Sequence, residues 1–433
     1  MAASLALAAL LTGSRAANAE IPLAQYHGWE LRTDGRVNTF ISLAEGDALP
    51  EEEPAIPGAG TVDNRDAAGQ LHSTRIRDGF FTSILGFTGS KELGSDFKLT
   101  ARVGLWMNVA AGRYENVPGL FDPRELYGKI EGRWGSFLAG SDSDLSRGGL
   151  LVDLQIAHEY GLGYPCAIRD ASGSACGMVG FGATFPWYNP GFVYSTPSLA
   201  GVRLSFGAYD PATVDNAQLT RTPLPRFEGE LRWDFKELVR AFASGFWQVV
   251  EGTVQQVDFA TGMQTARDLH VDAWGGQAGG MVSLGPIQLG AAGFAGNGYS
   301  PLAAQSQISA DGVGRLRNSR GAFGLGSVSI APLRLKIAGG LGVWHVDKNP
   351  DEVGAVNAAG RPTNPQLIRE NLGMTVGFYE AIDPVHIAIE YFRAQATWYS
   401  LGVPSANDPN VASAVVTPEQ IVNFINAGMT VVW

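Results

Sequence analysis

The chain ends in "INAGMTVVW" (Ile425–Trp433), and the parity of this stretch decides how the rest is read. Ile425, Ala427, Met429, Val431 and Trp433 share one parity, while Asn426, Gly428, Thr430 and Val432 share the other. A strand repeats every two residues, so each set lines one face. One face is apolar throughout and finishes on the bulkiest aromatic. An indole there suits the boundary between hydrocarbon and headgroups, where amphipathic rings settle.

The first strand-like segment has the same design. "GWELRTDGRVNTFISL" (28–43) sets Trp29, Leu31, Thr33, Val37 and Ile41 on one parity, against Glu30, Arg32, Asp34, Arg36 and Asn38. A face carrying these polar and charged groups needs water. Next, "ILGFTGSKELGSDFKLTARVGLWMN" (84–108) reads as two strands turning near Gly94, Ser95 and Asp96. "RELYGKIEGRWGSFLAGSD" (124–142) repeats the hairpin, turning at Trp134 and Gly135. In its first arm Glu125, Lys129, Glu131 and Arg133 share a parity with Tyr127, which leaves the direction of that strand open.

After Leu145 the alternation stops. Residues 145–189 hold Gly, Pro, both cysteines and several aromatics without a period, and a long loop in a strand-rich chain is usually functional. Ten alternating segments follow, and with the five early strands and the terminal one they make 16. A hairpin hidden in a long loop would make 18. Short connections such as "LGPIQ" and "APLR" alternate with long polar ones at 209–224, 297–318, 347–368 and 400–418. Short turns at one end and long loops at the other predict an all-β fold, an antiparallel transmembrane β-barrel.

Composition agrees. Gly supplies 56 of 433 residues, well above the usual share of about 7%, and charged residues are 17%, below the usual level of about 25%. The start, "MAASLALAALLTGSRAANAE", offers an apolar run from Ala2 to Leu11 and a small-residue Ala17-Asn18-Ala19 site, the pattern of a cleaved secretory signal over 1–19. A basic residue before the apolar run is missing, which points to a start codon upstream of Met1; a buried N-terminal helix is the alternative. No later segment has the ~18 consecutive apolar residues of a spanning helix. Residues 20–433 then form one barrel domain. Removing 1–19 takes away Arg15 and no acid, moving the formal charge from -11 to -12. An acidic chain without a basic cluster argues against nucleic-acid partners. In an oxidising compartment Cys166 and Cys176 would form a local disulfide. A two-ligand metal site is the other reading, but no suitably spaced His or Cys completes it.

Three segments resemble the general porins of Gram-negative outer membranes. "LGFTGSKELGSDFKL" (85–99) resembles that family's second-to-third-strand hairpin. "LYGKIEGRWGSFLAG" (126–140) is similar to its next hairpin, and "VYSTPSLAGVRLSFGAYD" (193–210) to its RYDSP segment. The terminal aromatic, Trp433, resembles the family's signal to the barrel-assembly machinery. The resemblance implies an outer-membrane homotrimer of 16-stranded barrels, with the 145–189 loop folded into the pore. It also implies loop acids facing basic wall residues, and passive diffusion of small hydrophilic solutes and ions with no cofactor. The chain departs from the family at Ile84, where an arginine is usual, and at Trp187 and Tyr188 near the sixth strand. Arg124 matches.

Candidate pore acids are therefore Asp142, Asp144, Asp153, Glu159 and Asp170, each weighed against being a solvated loop acid. Candidate wall bases are Arg32, Arg36, Arg102 and Arg124. Trp29, Tyr127, Trp344, Tyr399 and Trp433 are candidates for interfacial girdles against lipid. Trp187 and Tyr188 would suit a sugar-stacking path in a substrate-specific channel. No H-E-x-x-H, G-x-S-x-G or G-x-G-x-x-G occurs, so a barrel enzyme would rest on Asp153, His158 and Glu159 alone.

Overall fold

Alternation of apolar and polar side chains makes each strand two-faced, and a sheet with one face in lipid has no tolerable edge until it closes on itself. The computed structural model describes residues 20–47, 70–107, 121–158, 160–164, 176–186, 188–214, 219–257, 264–299, 307–308, 310–311, 314–349, 368–399, 401–404, 412–417 and 419–433. Sixteen antiparallel strands close a barrel. They are β1 (Trp29–Asp47), β2 (Gln70–Arg77 continuing as Ser83–Leu93), β3 (Phe97–Met107), β4 (Phe121–Gly132), β5 (Gly135–Ser143), β6 (Tyr188–Ser195), β7 (Val202–Tyr209) and β8 (Arg226–Phe235). The circuit continues with β9 (Val239–Val257), β10 (Gln264–Leu284), β11 (Ile287–Asn297), β12 (Asn318–Ile330), β13 (Leu335–Val346), β14 (Ile368–Ile382), β15 (Val385–Trp398) and β16 (Glu419–Val432). A hairpin does lie in a long loop, Leu401–Pro404 with Ala412–Val416, but it pairs only with itself and adds nothing to the wall.

The parity of the terminal stretch holds. Ile425 and Met429 face outward, while Phe424, Asn426 and Thr430 are buried on the lumen side. Leu126, Phe192, Phe206, Leu289, Leu341 and Ile389 continue the exposed apolar band around the wall. In β4 the open question resolves: Leu126 faces out, so Glu125, Tyr127, Lys129 and Glu131 line the lumen. Tyr127 therefore belongs to no lipid-facing girdle. Neither does Trp344, which is buried against the loops at the long-loop end, packed 4.4 Å from Phe294. Trp29 is exposed, and Trp134 stacks with Tyr194 at 6.0 Å beside a short turn.

Closure takes place on β1. β16 pairs with its Arg36–Gly46 stretch, and Trp433 exchanges two backbone hydrogen bonds with Gly35, at 2.9 and 3.0 Å. The N-terminal strand Ile21–Tyr26 pairs with the remaining Trp29–Thr33 stretch. The two ends of the chain thus stand end to end against one strand. Gly35 is where they need space: an added Cβ would lie 2.5 Å from Trp433 Cζ2 and 2.8 Å from the Ile84 carbonyl oxygen. Gly35→Val should therefore lose most of the compact, unheated band on SDS gels after refolding in detergent. Gly94→Ala is the control. Its Cβ meets nothing, and its positive φ of 66° should cost about 1 kcal/mol without loss of the band.

Candidate functional site

Two irregularities in the wall aim side chains inward. In β2 the ladder breaks between Arg77, opposite Phe40, and Ile84, opposite Arg36. Asn38 fills the gap: its amide oxygen accepts the Gly79 N–H at 2.8 Å, and its amide nitrogen donates to the Phe81 carbonyl. In β4 the register slips opposite Gly104–Trp106, at Pro123, which has no N–H to give a ladder. The bulge places Arg124 next to Glu125 on the lumen side, with its guanidinium 4.8 Å from the Trp106 ring centroid and 5.5 Å from that of Tyr188.

Between β5 and β6 the chain enters the barrel. Leu145–Arg147 form a 3₁₀ turn, Gly148–Asp153 one short α-helix, and Leu154–His158 a π-turn. The loop seats on an apolar half of the lumen wall. Leu150, Val152, Ile156, Leu162, Tyr164 and Phe181 are buried against Phe40, Phe242, Phe323, Phe392, Val422 and Phe424. Tyr164 packs edge-on to Phe181 at 4.8 Å and to Phe424 at 5.5 Å. Burial pushes the Tyr164 hydroxyl above the usual tyrosine range. Wall glycines admit the loop backbone: a Cβ on Gly342 would sit 2.0 Å from the Phe181 carbonyl oxygen.

Burying that backbone demands partners for its polar groups. The wall supplies them strand by strand. Glu228 on β8 accepts the Leu145 N–H at 3.0 Å, and Gln277 on β10 donates to the Ser146 carbonyl and accepts from Thr184 at 3.2 Å. Lys336 on β13 donates to the Gln155 carbonyl at 2.6 Å, and Asn371 on β14 to that of Gly180 at 3.2 Å. Glu390 on β15 accepts the N–H groups of Leu162 and Gly163 at 2.7 and 3.0 Å, and Asn426 on β16 donates to the Gly163 carbonyl at 2.9 Å.

The predicted acids divide. Asp153 is fully buried, with Oδ2 accepting the Met178 N–H at 3.0 Å. Asp144 is buried too and caps the 3₁₀ turn through the Ser146 N–H. Asp142 stays half-buried, accepting the Ser143 N–H at 2.7 Å. Beside it, burial works against the charge of Arg147, but Asp142 and Glu230 outweigh that, and its pKa is raised. Glu159, Asp170, Cys166 and Trp187 lie outside the described residues, as do the 1–19 segment and the side chain of His158.

The predicted bases also divide. Arg102 pairs with wall carboxylates and not with the loop: Asp34 at 2.7 Å and Glu125 at 2.7 Å. Arg32 pairs with Glu20 at 3.1 Å and Glu30 at 2.9 Å. Both line a 420 Å³ cavity at the short-turn end, where Glu20, Glu30, Asp34 and Glu131 mingle with Lys98 and Lys129. Arg36 instead donates through Nε to the Thr82 carbonyl at 3.1 Å and lies 4.4 Å from the Phe81 ring centroid. Sequence parity missed Phe81 and Arg147 as pore groups. The Asp78-Gly79 pair inside β2 and Pro123 in β4 were the available signals.

Such a barrel, narrowed from within by a loop, can pass small solutes through a polar lumen. The sequence matches the family model for Gram-negative porins over residues 3–359. The chain belongs to the Gram-negative porins. Curated protein sequences gave no match. Solved structures similar in fold include the outer membrane channel DcaP of Acinetobacter baumannii, with a TM-score of 0.60 at 13% identity over 94% of this chain and 99% of that one. The anion-selective porin from Comamonas acidovorans gives 0.57 at 13% identity over 94% and 100%. OmpT of Vibrio cholerae gives 0.53 at 12% identity over 95% and 100%. This porin is an outer-membrane channel for passive diffusion.

The anchors make the seating of the loop testable. Glu390→Gln replaces a charged acceptor shared by two loop amides, a difference of roughly 1.5–3 kcal/mol. Hydrogen exchange at Leu162 and Gly163 should speed up about tenfold to a hundredfold, with β9–β12 exchange unchanged. Gly342→Val should push the loop off the wall, read as larger and noisier single-channel currents from a barrel that still runs as a compact band.

Proposed function

We propose that this porin passes small hydrophilic solutes and ions, with a preference for anions, through a narrowing lined by Arg36, Arg124, Asp142 and Tyr188. The observation that carries the reading is the fate of the charges. Arg36 has no ion pair among the described residues, whereas Asp34 and Glu125 are held by Arg102, and Asp144 and Asp153 are buried within the loop. A fixed positive charge on the wall then acts in a low-dielectric surround, where local field outweighs the net charge of -11. The selectivity printed for the Comamonas porin is in keeping with this. Arg32 and Arg102 serve the water-filled vestibule, and Asp144 and Asp153 hold the loop in shape.

Further parts of the reading rest on sequence and resemblance. The protein works as a homotrimer in outer-membrane lipid, assembled through its terminal Trp433. It carries no catalytic site. It matures by cleavage after Ala19, so the intact mass of the purified protein should start at Glu20. Cys166 and Cys176 pair inside the loop, which fits the lack of a free cysteine among the described residues.

Single-channel recording in a planar bilayer with a KCl gradient tests the main claim. Stepwise currents should appear, the reversal potential should fall on the chloride side, and closures should come in threes. A folded barrel that inserts without conducting would overturn the channel reading. A potential on the potassium side would overturn only the anion preference.

A further inference from the structure

Across the lumen wall, cations and rings alternate. Arg36 lies over Phe81 at 4.4 Å and near Trp106 at 5.7 Å, and Phe81 and Trp106 stand 5.4 Å apart. Trp106 and Tyr188 are 5.5 Å apart, with Arg124 over both. The two guanidinium carbons share one indole, so they lie no farther apart than the sum of 5.7 and 4.8 Å. Trp106 is buried and backs the strip, while Phe81, Tyr188 and both arginines are half-buried and form its lumen surface.

This strip is more than a source of field. A field needs charge but no rings, and mobile lysines would supply it. Here each guanidinium is held against an aromatic face, and Arg36 is further fixed through Nε to the Thr82 carbonyl at 3.1 Å. Pre-organised groups lose little freedom when a ligand arrives. The Nη groups of Arg36 match a carboxylate. The rings meet at interplanar angles of 50° and 58°, the tilted packing that a further aromatic ring can extend. A neutral sugar would instead call for carboxylate or amide acceptors on the ring faces, whereas the groups on these faces are guanidiniums, with Asp142 the acid at the same narrowing.

Building on the channel reading, we propose that Arg36, Phe81, Arg124 and Tyr188 form a subsite for small aromatic carboxylates. The carboxylate takes the Arg36 Nη groups, with Arg124 contributing positive charge from its seat on the rings, and the solute's ring lies against Tyr188 and Phe81. Occupancy is brief, as conduction demands.

Block of the KCl current in a planar bilayer tests this with three probes. Benzoate carries ring and charge, cyclohexanecarboxylate carries charge without a planar ring, and benzyl alcohol carries the ring alone. Benzoate should interrupt the current at concentrations about fivefold to tenfold below cyclohexanecarboxylate, with benzyl alcohol inert. Arg36→Gln should weaken benzoate block about tenfold. Tyr188→Leu should erase the preference for benzoate while carboxylate block persists. Equal block by the two carboxylates, or a benzoate preference untouched in both variants, would overturn the subsite. The KCl current itself reports separately on the channel: its absence sinks the channel reading, and a normal current with equal block sinks only the subsite.

Discussion

A backbone that enters a barrel carries its N–H and C=O groups away from bulk water, and each then needs a partner. That constraint explains more of this structure than any single apolar contact. The loop between β5 and β6 cannot satisfy itself, because its regular turns are too short. The wall therefore donates and accepts on its behalf, through Glu228, Gln277, Lys336, Asn371, Glu390 and Asn426. These side chains project from strands that otherwise present small or apolar residues to the loop, so polar satisfaction fixes position while apolar packing fills volume. Glu390 shows how tightly the two are joined: it accepts two loop amides and also the Tyr379 hydroxyl at 2.6 Å. Moving the loop by one residue would strand both amides.

The same seating explains particular wall glycines. Gly342 and Gly373 lie where a Cβ would meet the backbone or side chain of Phe181, at 2.0 and 2.8 Å. A wall of larger residues would hold the loop farther into the lumen and remove the aromatic contacts of Tyr164 and Phe181. Close approach, aromatic packing and backbone anchoring are thus one arrangement seen from three sides.

Much of the barrel was legible in sequence because its signal is periodic. Parity told inside from outside on β1 and β16, where lipid demands apolar residues at every second position. Parity is silent wherever the ladder breaks. Arg124 lies next to Glu125 in sequence yet joins it in the lumen, since the bulge at Pro123 cancels the alternation. Trp344 resembled a girdle residue because a tryptophan near a strand end has the same sequence signature whether lipid or a folded-in loop covers it. Acids of the loop were still harder to place. Asp153 and Asp142 look alike as letters, and only the fold shows that one carboxylate serves the Met178 amide and the other stays half-buried beside Arg147.

The division of charges follows from that geometry and not from composition. Formal charge counts every acid equally, yet an acid tied to a backbone amide or to a neighbouring arginine contributes little to the field a passing ion meets. Arg102 takes up both Asp34 and Glu125 within the wall, so its charge offsets one of the two carboxylates and leaves the trio with a single negative charge. Arg36 is treated differently: its Nε binds a carbonyl and its face meets a ring, contacts that hold a guanidinium without cancelling its charge. Neutral holders, a carbonyl and an aromatic face, fix a cation and leave it electrostatically visible. On an acidic chain, it is the break in β2 that brings Phe81 under Arg36 and gives this guanidinium a ring and a carbonyl for neighbours.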